Sequence, residues 1–333
     1  MVKLSLKTLI AAFMALALFS CAEDKSDSDR SIQERILNAY VNTADFKAKY
    51  PNAEFWESGI VMLEQTPGTG DVLDSREAGY FEFTIKSLSG EKIQTTDEKY
   101  AQTLGEFLHT NYYGPALFEM GYKSTYIGLE EVFEGMRVGG KAKFILPPWL
   151  AITENDPDWG NKTSTIYDVE LTGVITNILE WEEDTMRAYA NIHYPGLDTL
   201  SSNFYFKKLN DIPKDTIENN KTVKVYYIGR LLDGWVFDTN IADTARKYGI
   251  YSGDDSSYEP LEVSYNKEID AMTKDNSLVT GFCMAVQEMG YGDKAFTMFG
   301  SKYGYDYDGK DPIGPYQPLS FWLHILEKEN EDE

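Results

Sequence analysis

At 333 residues the chain is long enough for two domains of ordinary size, and its 42% hydrophobic content lets it bury real cores. Acidic residues (54) outnumber basic ones (31), giving a net charge of -23, a surface that phosphate backbones repel; this argues against nucleic acid as a partner. Three His and two Cys argue against a His- or Cys-based metal site, with carboxylate sites left open, and no metal or cofactor is expected.

The N-terminal stretch MVKLSLKTLIAAFMALALFSC places Lys3 and Lys7 before an apolar run from Leu9 to Phe19. A basic head and a short apolar core are the marks of a secretory signal, here residues 1–20. The run is too short and wrongly flanked to span a bilayer. Leu18-Phe19-Ser20-Cys21 resembles a bacterial lipobox, which implies that Cys21 is diacylated and becomes the mature N-terminus. An ordinary signal peptide with an incidental Cys is the other reading. Residues 21–30 then form an acidic tether. The expected product is a lipid-anchored protein of the cell envelope, in the outer membrane and facing the periplasm or the surface. Cys283, in an apolar helix-like segment, reads as a small buried hydrophobe.

Further along, SIQERILNAYVN (Ser31 to Asn42) predicts a helix with Ser31 as N-cap and Ile32, Ile36, Leu37 and Tyr40 on one side. Gly59 to Gln65 predicts a strand, and Pro67 to Ser75 a turn-rich loop. VYYIGRLLDGWVFDTN (Val225 to Asn240) predicts two strands joined at Leu232-Asp233-Gly234, with Asp238 placed awkwardly beside Phe237. Leu278 to Met289 predicts a short helix with Val279, Phe282, Val286 and Met289 on one face.

Several of these segments occur twice. GLEEVFEGMRVGGKAKFILP (Gly128 to Pro147) has a counterpart in GFCMAVQEMGYGDKAFTMFG (Gly281 to Gly300). TIYDVELTGVI (Thr165 to Ile175) corresponds to LSFWLHILEKE (Leu319 to Glu329), and FEFTIKSLSGEKIQTT (Phe81 to Thr96) to the Val225 hairpin. Two copies of one domain are therefore expected, over 31–180 and 183–328, with Glu180 to Thr185 at the junction. Strands and one helix in this order predict an α+β unit, an antiparallel sheet packed on a single helix.

Four motifs of the second copy, taken in order, carry a family resemblance. The hairpin is similar to V-x-Y-x-G-x-L-x-x-G-x-x-F-D-S. LVTGFCMAVQEMGYGDKA is similar to V-I-x-G-W-x-x-x-L-x-x-M-x-x-G-E-K-A. SKYGYD and GPYQPLSFWLHIL follow in their places. Both copies thus resemble the FK506-binding-protein (FKBP) type of peptidyl-prolyl isomerase. The resemblance implies a curved antiparallel sheet wrapped around a short helix, with an aromatic pocket between them. It implies Tyr227, Phe237, Asp238 and Tyr305 as the catalytic group, and Leu261, Leu278, Val279, Phe282 and Phe321 as the substrate-binding group. It also implies a backbone N–H near Val279 that holds the substrate carbonyl. Phe282 departs from the family's tryptophan, and Gly304-Tyr305-Asp306 from its A-Y-G triplet. The segment Asp243 to Pro260 is an addition, expected to form a helical flap.

In the first copy, Phe83 stands at the Tyr227 position, Ile93 at Phe237 and Gln94 at Asp238. Leu129 stands at the helix aromatic, Ile152 at Tyr305 and Tyr167 at Phe321. This pocket is expected to lack the acid and the tyrosine hydroxyls and to be weakly active or inactive. His109 has no recognisable partner, and His193 and His324 read as surface or strand residues.

Prolyl isomerisation needs no nucleophile, metal or proton relay. Its barrier of roughly 18–20 kcal/mol comes from amide resonance, and the twisted amide is less dipolar than the planar one, so an apolar pocket favours it. Taken singly, Phe237, Phe282 and Phe321 read more readily as core than as site, and Asp238 as a cap for the Thr239-Asn240 turn; only the ordered motif set tips the balance. Two functions stay open: isomerisation of unfolded or proline-containing polypeptides by the second copy, or a non-catalytic, chaperone-like or assembly role. A carbohydrate-binding role rests only on anchoring and aromatic richness.

Overall fold

A computed structural model describes residues 25–121, 125–197, 199–212 and 215–328. Cys21 and the leader lie outside the described residues. In chain order the first half runs α1 (Lys25–Val41), α2 (Ala44–Lys49), β1 (Glu54–Phe55), β2 (Val61–Thr66), β3 (Ala78–Ser87), β4 (Lys92–Thr95), α3 (Glu98–Leu104), β5 (Ala116–Glu119), α4 (Ile127–Phe133), β6 (Lys141–Leu146) and β7 (Thr165–Ile175). A helix, α5 (Ile178–His193), follows. The second half runs β8 (Thr199–Ser201), β9 (Phe204–Lys208), β10 (Thr222–Leu231), β11 (Val236–Thr239), α6 (Ala242–Tyr248), β12 (Leu261–Ser264), α7 (Ile269–Asn276), α8 (Thr280–Glu288), β13 (Lys294–Phe299) and β14 (Leu319–Ile325).

The repeat is written into the sheet topology. One sheet has the order β1-β2-β6-β7-β3-β4, with β5 also on β3. The other has β8-β9-β13-β14-β10-β11, with β12 also on β10. All pairings within them are antiparallel. The hairpins match residue for residue: Ile85 pairs with Gln94 in the first, Gly229 with Asp238 in the second. On the next strand Ile85 pairs with Tyr167, and Gly229 with Phe321. The architecture is the expected α+β one.

Each sheet packs its inner face on a short helix. In the second half, α8 turns Phe282, Cys283 and Val286 inward at helical spacing, and β10 and β14 supply Val223, Val225, Leu319 and Leu323 by alternation. Gly281 lets the Phe299 ring reach the helix backbone, since a Cβ there would lie 2.3 Å from that ring. Cys283 is free and fully buried, as the hydrophobe reading expects.

Some expectations need correction. The first helix begins before Ser31, which is therefore inside it and not its N-cap. Of its predicted apolar side, Leu37 is buried while Ile32 and Ile36 are exposed. Glu180 to Thr185 does lie between the two sheets, but within the continuous helix α5 rather than in a linker, and Glu182 there is fully buried. The Asp243 to Pro260 segment contains a helix, as expected of it, and the first half has a counterpart. α3 stands at the place of α6, and the two helices end alike, at left-handed Gly105 and Gly249. No described helix is long and apolar enough to cross a membrane.

Candidate active site

The site forms where the β10–β11 hairpin faces α8. The end of the hairpin is pinned by side chains. Thr239 Oγ1 donates to the Tyr227 carbonyl at 2.7 Å. Asn240, buried, accepts from the Tyr227 N–H and donates to the Val225 carbonyl, both at 2.8 Å. These bonds fix Tyr227 and Asp238 on neighbouring strands. The Tyr227 hydroxyl then donates to Asp238 Oδ2 at 2.7 Å. Thr239 and Asn240 thus tie down the end of the hairpin, and the carboxylate points to the tyrosine and not into the turn, against the alternative reading of Asp238 as a turn cap.

Behind this pair lies a cup of aromatic rings. Phe321 meets Phe282 edge-on at 5.4 Å and Phe237 edge-on at 5.7 Å, and stacks with Phe299 at 5.8 Å. Tyr227 stands edge-on to Phe282 at 5.8 Å. Edge-to-face contacts at these separations are favourable beyond their buried area. Phe282 and Phe321 belong to the buried core, and Tyr227, Phe237, Leu261, Leu278, Val279 and Tyr305 pack against it half-buried. Asp238 stays exposed at the rim. The eight apolar and aromatic residues expected from the sequence thus share one core cluster, and Asp238 joins it through its bond with Tyr227.

Val279 is the N-cap of α8, where leading N–H groups lack intrahelical partners. The Val279 N–H makes no hydrogen bond within the described protein. Burial raises the Tyr227 phenol above its ordinary range, and Asp238 adds to the shift. Burial, followed by Asp238, does the same to Tyr305. Both phenols stay protonated as hydrogen-bond donors.

Three contributors were missed in the sequence. Gly229 is one: a Cβ there would lie 2.6 Å from the Phe237 ring and 2.9 Å from Phe321. The glycine of the hairpin motif was the available signal. In the first half Ile85 fills the corresponding position. Phe299 is the second, hidden in an apolar strand that reads simply as core. Tyr112 is the third, and it comes from the first half. Its hydroxyl donates to Asp233 at 2.9 Å, and its ring lies 5.3 Å from Trp235, which itself lies 6.4 Å from Phe237. Trp235 Nε1 also donates to the His109 carbonyl at 3.3 Å. His109 thus has partners after all: Phe107 at 4.7 Å, and Gly249, whose missing side chain leaves room for the imidazole. His193 packs on Tyr189, and His324 lies on β14.

The equivalent region of the first half holds a cavity of about 710 Å³. Phe83, Ile93, Gln94, Leu129 and Tyr167 line it, whereas Ile152 gives its carbonyl to the Ile127 N–H and does not. Phe83 carries no hydroxyl at the Tyr227 position, yet the cavity is not without tyrosines. Tyr126 and Tyr167 line the cavity, and Tyr307 and Tyr316 reach it from the second half. Gln94 does replace the hairpin acid, but Glu119 and Asp308 are also in the lining, and Glu119 accepts from the Tyr316 hydroxyl at 2.9 Å.

The family described as FKBP-type peptidyl-prolyl cis-trans isomerase matches residues 90–172 and 214–326, more than half of the chain. The chain belongs to that family. The FKBP match falls on both sheets, taking in β4 to β7 and β10 to β14. FKBP isomerases act on proline-containing polypeptides. No curated protein matches the chain. Among solved structures, a peptidyl-prolyl cis-trans isomerase of Pseudomonas syringae is 25% identical, with 45% of this chain and 91% of that one covered and a TM-score of 0.33. FkpA of Escherichia coli is 21% identical over 52% of this chain and 74% of its own, at a TM-score of 0.33. The three FKBP domains of wheat FKBP73 are 15% identical over 81% and 95%, at a TM-score of 0.28.

Proposed function

We propose that the chain is a peptidyl-prolyl isomerase for unfolded or proline-containing polypeptides, with catalysis in the second unit (183–328). The observation that carries this reading is the Tyr227–Asp238 pair set at 2.7 Å on the rim of an aromatic cup. The prolyl ring enters among Phe237, Phe282 and Phe321, against Leu261 and Leu278. The Val279 N–H receives the substrate carbonyl, and Tyr305 offers a second donor. Planar amide loses more hydration than twisted amide in such a cup, so the barrier falls without covalent chemistry. Asp238 contributes a directed negative field at the twisting carbonyl, and Tyr227 holds the carboxylate in place. An NMR isomerisation assay on the full chain tests this: Asp238→Asn should slow the acceleration of an X-Pro peptide. A wild-type rate equal to that of buffer would overturn the reading.

The first unit (31–180) serves binding without turnover. Gln94 in place of the acid and Ile85 in place of the glycine favour that role. The 710 Å³ cavity supports a second, chaperone-like reading for this unit, since that volume suits a small apolar ligand or side-chain cluster. Retention of a proline-free apolar peptide by Asp238→Asn protein would favour it. Cys21 acylation would tether both units to the cell envelope, in the outer membrane. Mass spectrometry of the mature N-terminus tests this, and an unmodified Cys21 would contradict it.

A further inference from the structure

The outer face of the second sheet, opposite the candidate site, holds a cavity of about 360 Å³. Strand alternation turns Arg230 to this face, three residues after inward-facing Tyr227. The sheet supplies Ile228, Phe296 and Trp322, α5 and its end supply Tyr189 and Tyr194, and Thr244 comes from α6. Tyr194 stacks on Phe296 at 4.1 Å, and Lys207 Nζ lies 5.5 Å over the Tyr194 ring. The result is an aromatic box with a guanidinium in its wall and a second cation beside it.

Arg230 is half-buried, and one of its N–H groups has no partner. Its Nε is buried without any hydrogen-bond acceptor. Among the described residues its guanidinium makes one hydrogen bond, 3.5 Å from Nη2 to the Tyr248 hydroxyl, and the Tyr248 ring lies 5.6 Å from Cζ. Among the described residues no carboxylate pairs with it, although acidic residues far outnumber basic ones in the chain. A buried guanidinium N–H without an acceptor is costly, and aromatic faces compensate only in part. Arg also offers a planar fork that matches a carboxylate.

The geometry points to this cavity as a binding site for a carboxylate carried on a flat apolar body. Its volume fits a single aromatic amino acid with a free carboxyl group, alone or as the last residue of a polypeptide. The carboxylate accepts from Arg230, Thr244 adds a hydroxyl, and the ligand's apolar part lies among Tyr194, Phe296 and Trp322. Phe321 borders both this cavity and the isomerase cup, but Arg230 and the aromatic box lie outside the cup, and the site stands whether or not the cup turns over substrate.

The test is a titration of the full chain followed at the Arg230 Nε–H resonance by NMR. The probes are N-acetyl-phenylalanine, its carboxamide, and a pentapeptide ending in a free phenylalanine carboxylate. The acid should shift the Arg230 signal saturably, and the carboxamide should bind roughly tenfold or more weakly. Shifts with the pentapeptide as well would assign the site to polypeptide C-termini, and shifts with the small acid alone would assign it to free carboxylates. Arg230→Lys, which keeps the charge but not the fork, should weaken the acid and leave the carboxamide unchanged. Equal response to acid and carboxamide, or no response to the acid at concentrations on the order of 10 mM, would overturn the assignment.

Discussion

The Tyr227 hydroxyl and the Asp238 carboxylate face each other at 2.7 Å across the β10–β11 hairpin, with the tyrosine half-buried and the acid exposed. The pair separates two jobs. The ring of Tyr227 belongs to the cup, whereas Asp238 contributes charge and little packing.

Asp238→Asn should therefore lower kcat/KM by about tenfold or more, roughly 1.4 kcal/mol of transition-state stabilisation. Its melting temperature should barely move, because exposed substitutions away from buried networks stay within about 0.5 kcal/mol. Tyr227→Phe keeps the ring and releases the carboxylate, so its loss should be smaller. Peptide isomerisation kinetics beside thermal melts would check both.

Gly229→Ala should damage both stability and the site. The added Cβ meets Phe237 and Phe321, two rings of the cup. Overpacking of this kind costs about 1–3 kcal/mol. Chemical denaturation should report that loss, and turnover should fall with it.

The first half of the chain supports the second at Trp235. Tyr112→Ala removes both the bond to Asp233 and the ring against Trp235. A few-fold rise in KM with kcat nearly kept is expected, because the variant alters a wall beside Phe237 and leaves Asp238 in place. Steady-state kinetics with peptides of increasing length would show it.

Glu182 gives a pH-dependent prediction. Its carboxyl is buried, accepts the Ser301 N–H at 3.1 Å and leaves its second oxygen without a partner. Burial raises it above the usual carboxylate range. A raised folded-state value means the protonated form is favoured on folding. Its stabilising contribution is complete below the unfolded value near 4.3 and is lost as pH rises through the folded one. Glu182→Gln should thus stabilise the protein at pH 7, by about 1 kcal/mol or a melting shift of roughly 2–4 °C. At pH 4 the advantage should vanish.

Much of this was legible in the sequence because a strand hairpin and a short helix leave local marks. The turn glycine, the alternation from Val223 onward and the spacing of Phe282, Cys283 and Val286 place the elements. Repetition at a fixed offset makes Gln94 and Asp238 comparable, and the ladders bear out that comparison. Contacts between the halves were not legible. Tyr112, His109 and Tyr316 act across the boundary, and nothing in their own neighbourhoods announces a partner more than a hundred residues away. Gly229 and Arg230 were overlooked for a different reason: one works through the side chain it lacks, the other through the partner it lacks.

On the proposed function, the cup around Tyr227 and Asp238 lowers the prolyl barrier. Exchange NMR on an X-Pro peptide with the full chain at catalytic concentration tests it most directly. Cis–trans exchange should be accelerated by wild type and much less by Asp238→Asn. Exchange no faster than in buffer, or Asp238→Asn as fast as wild type, would contradict it.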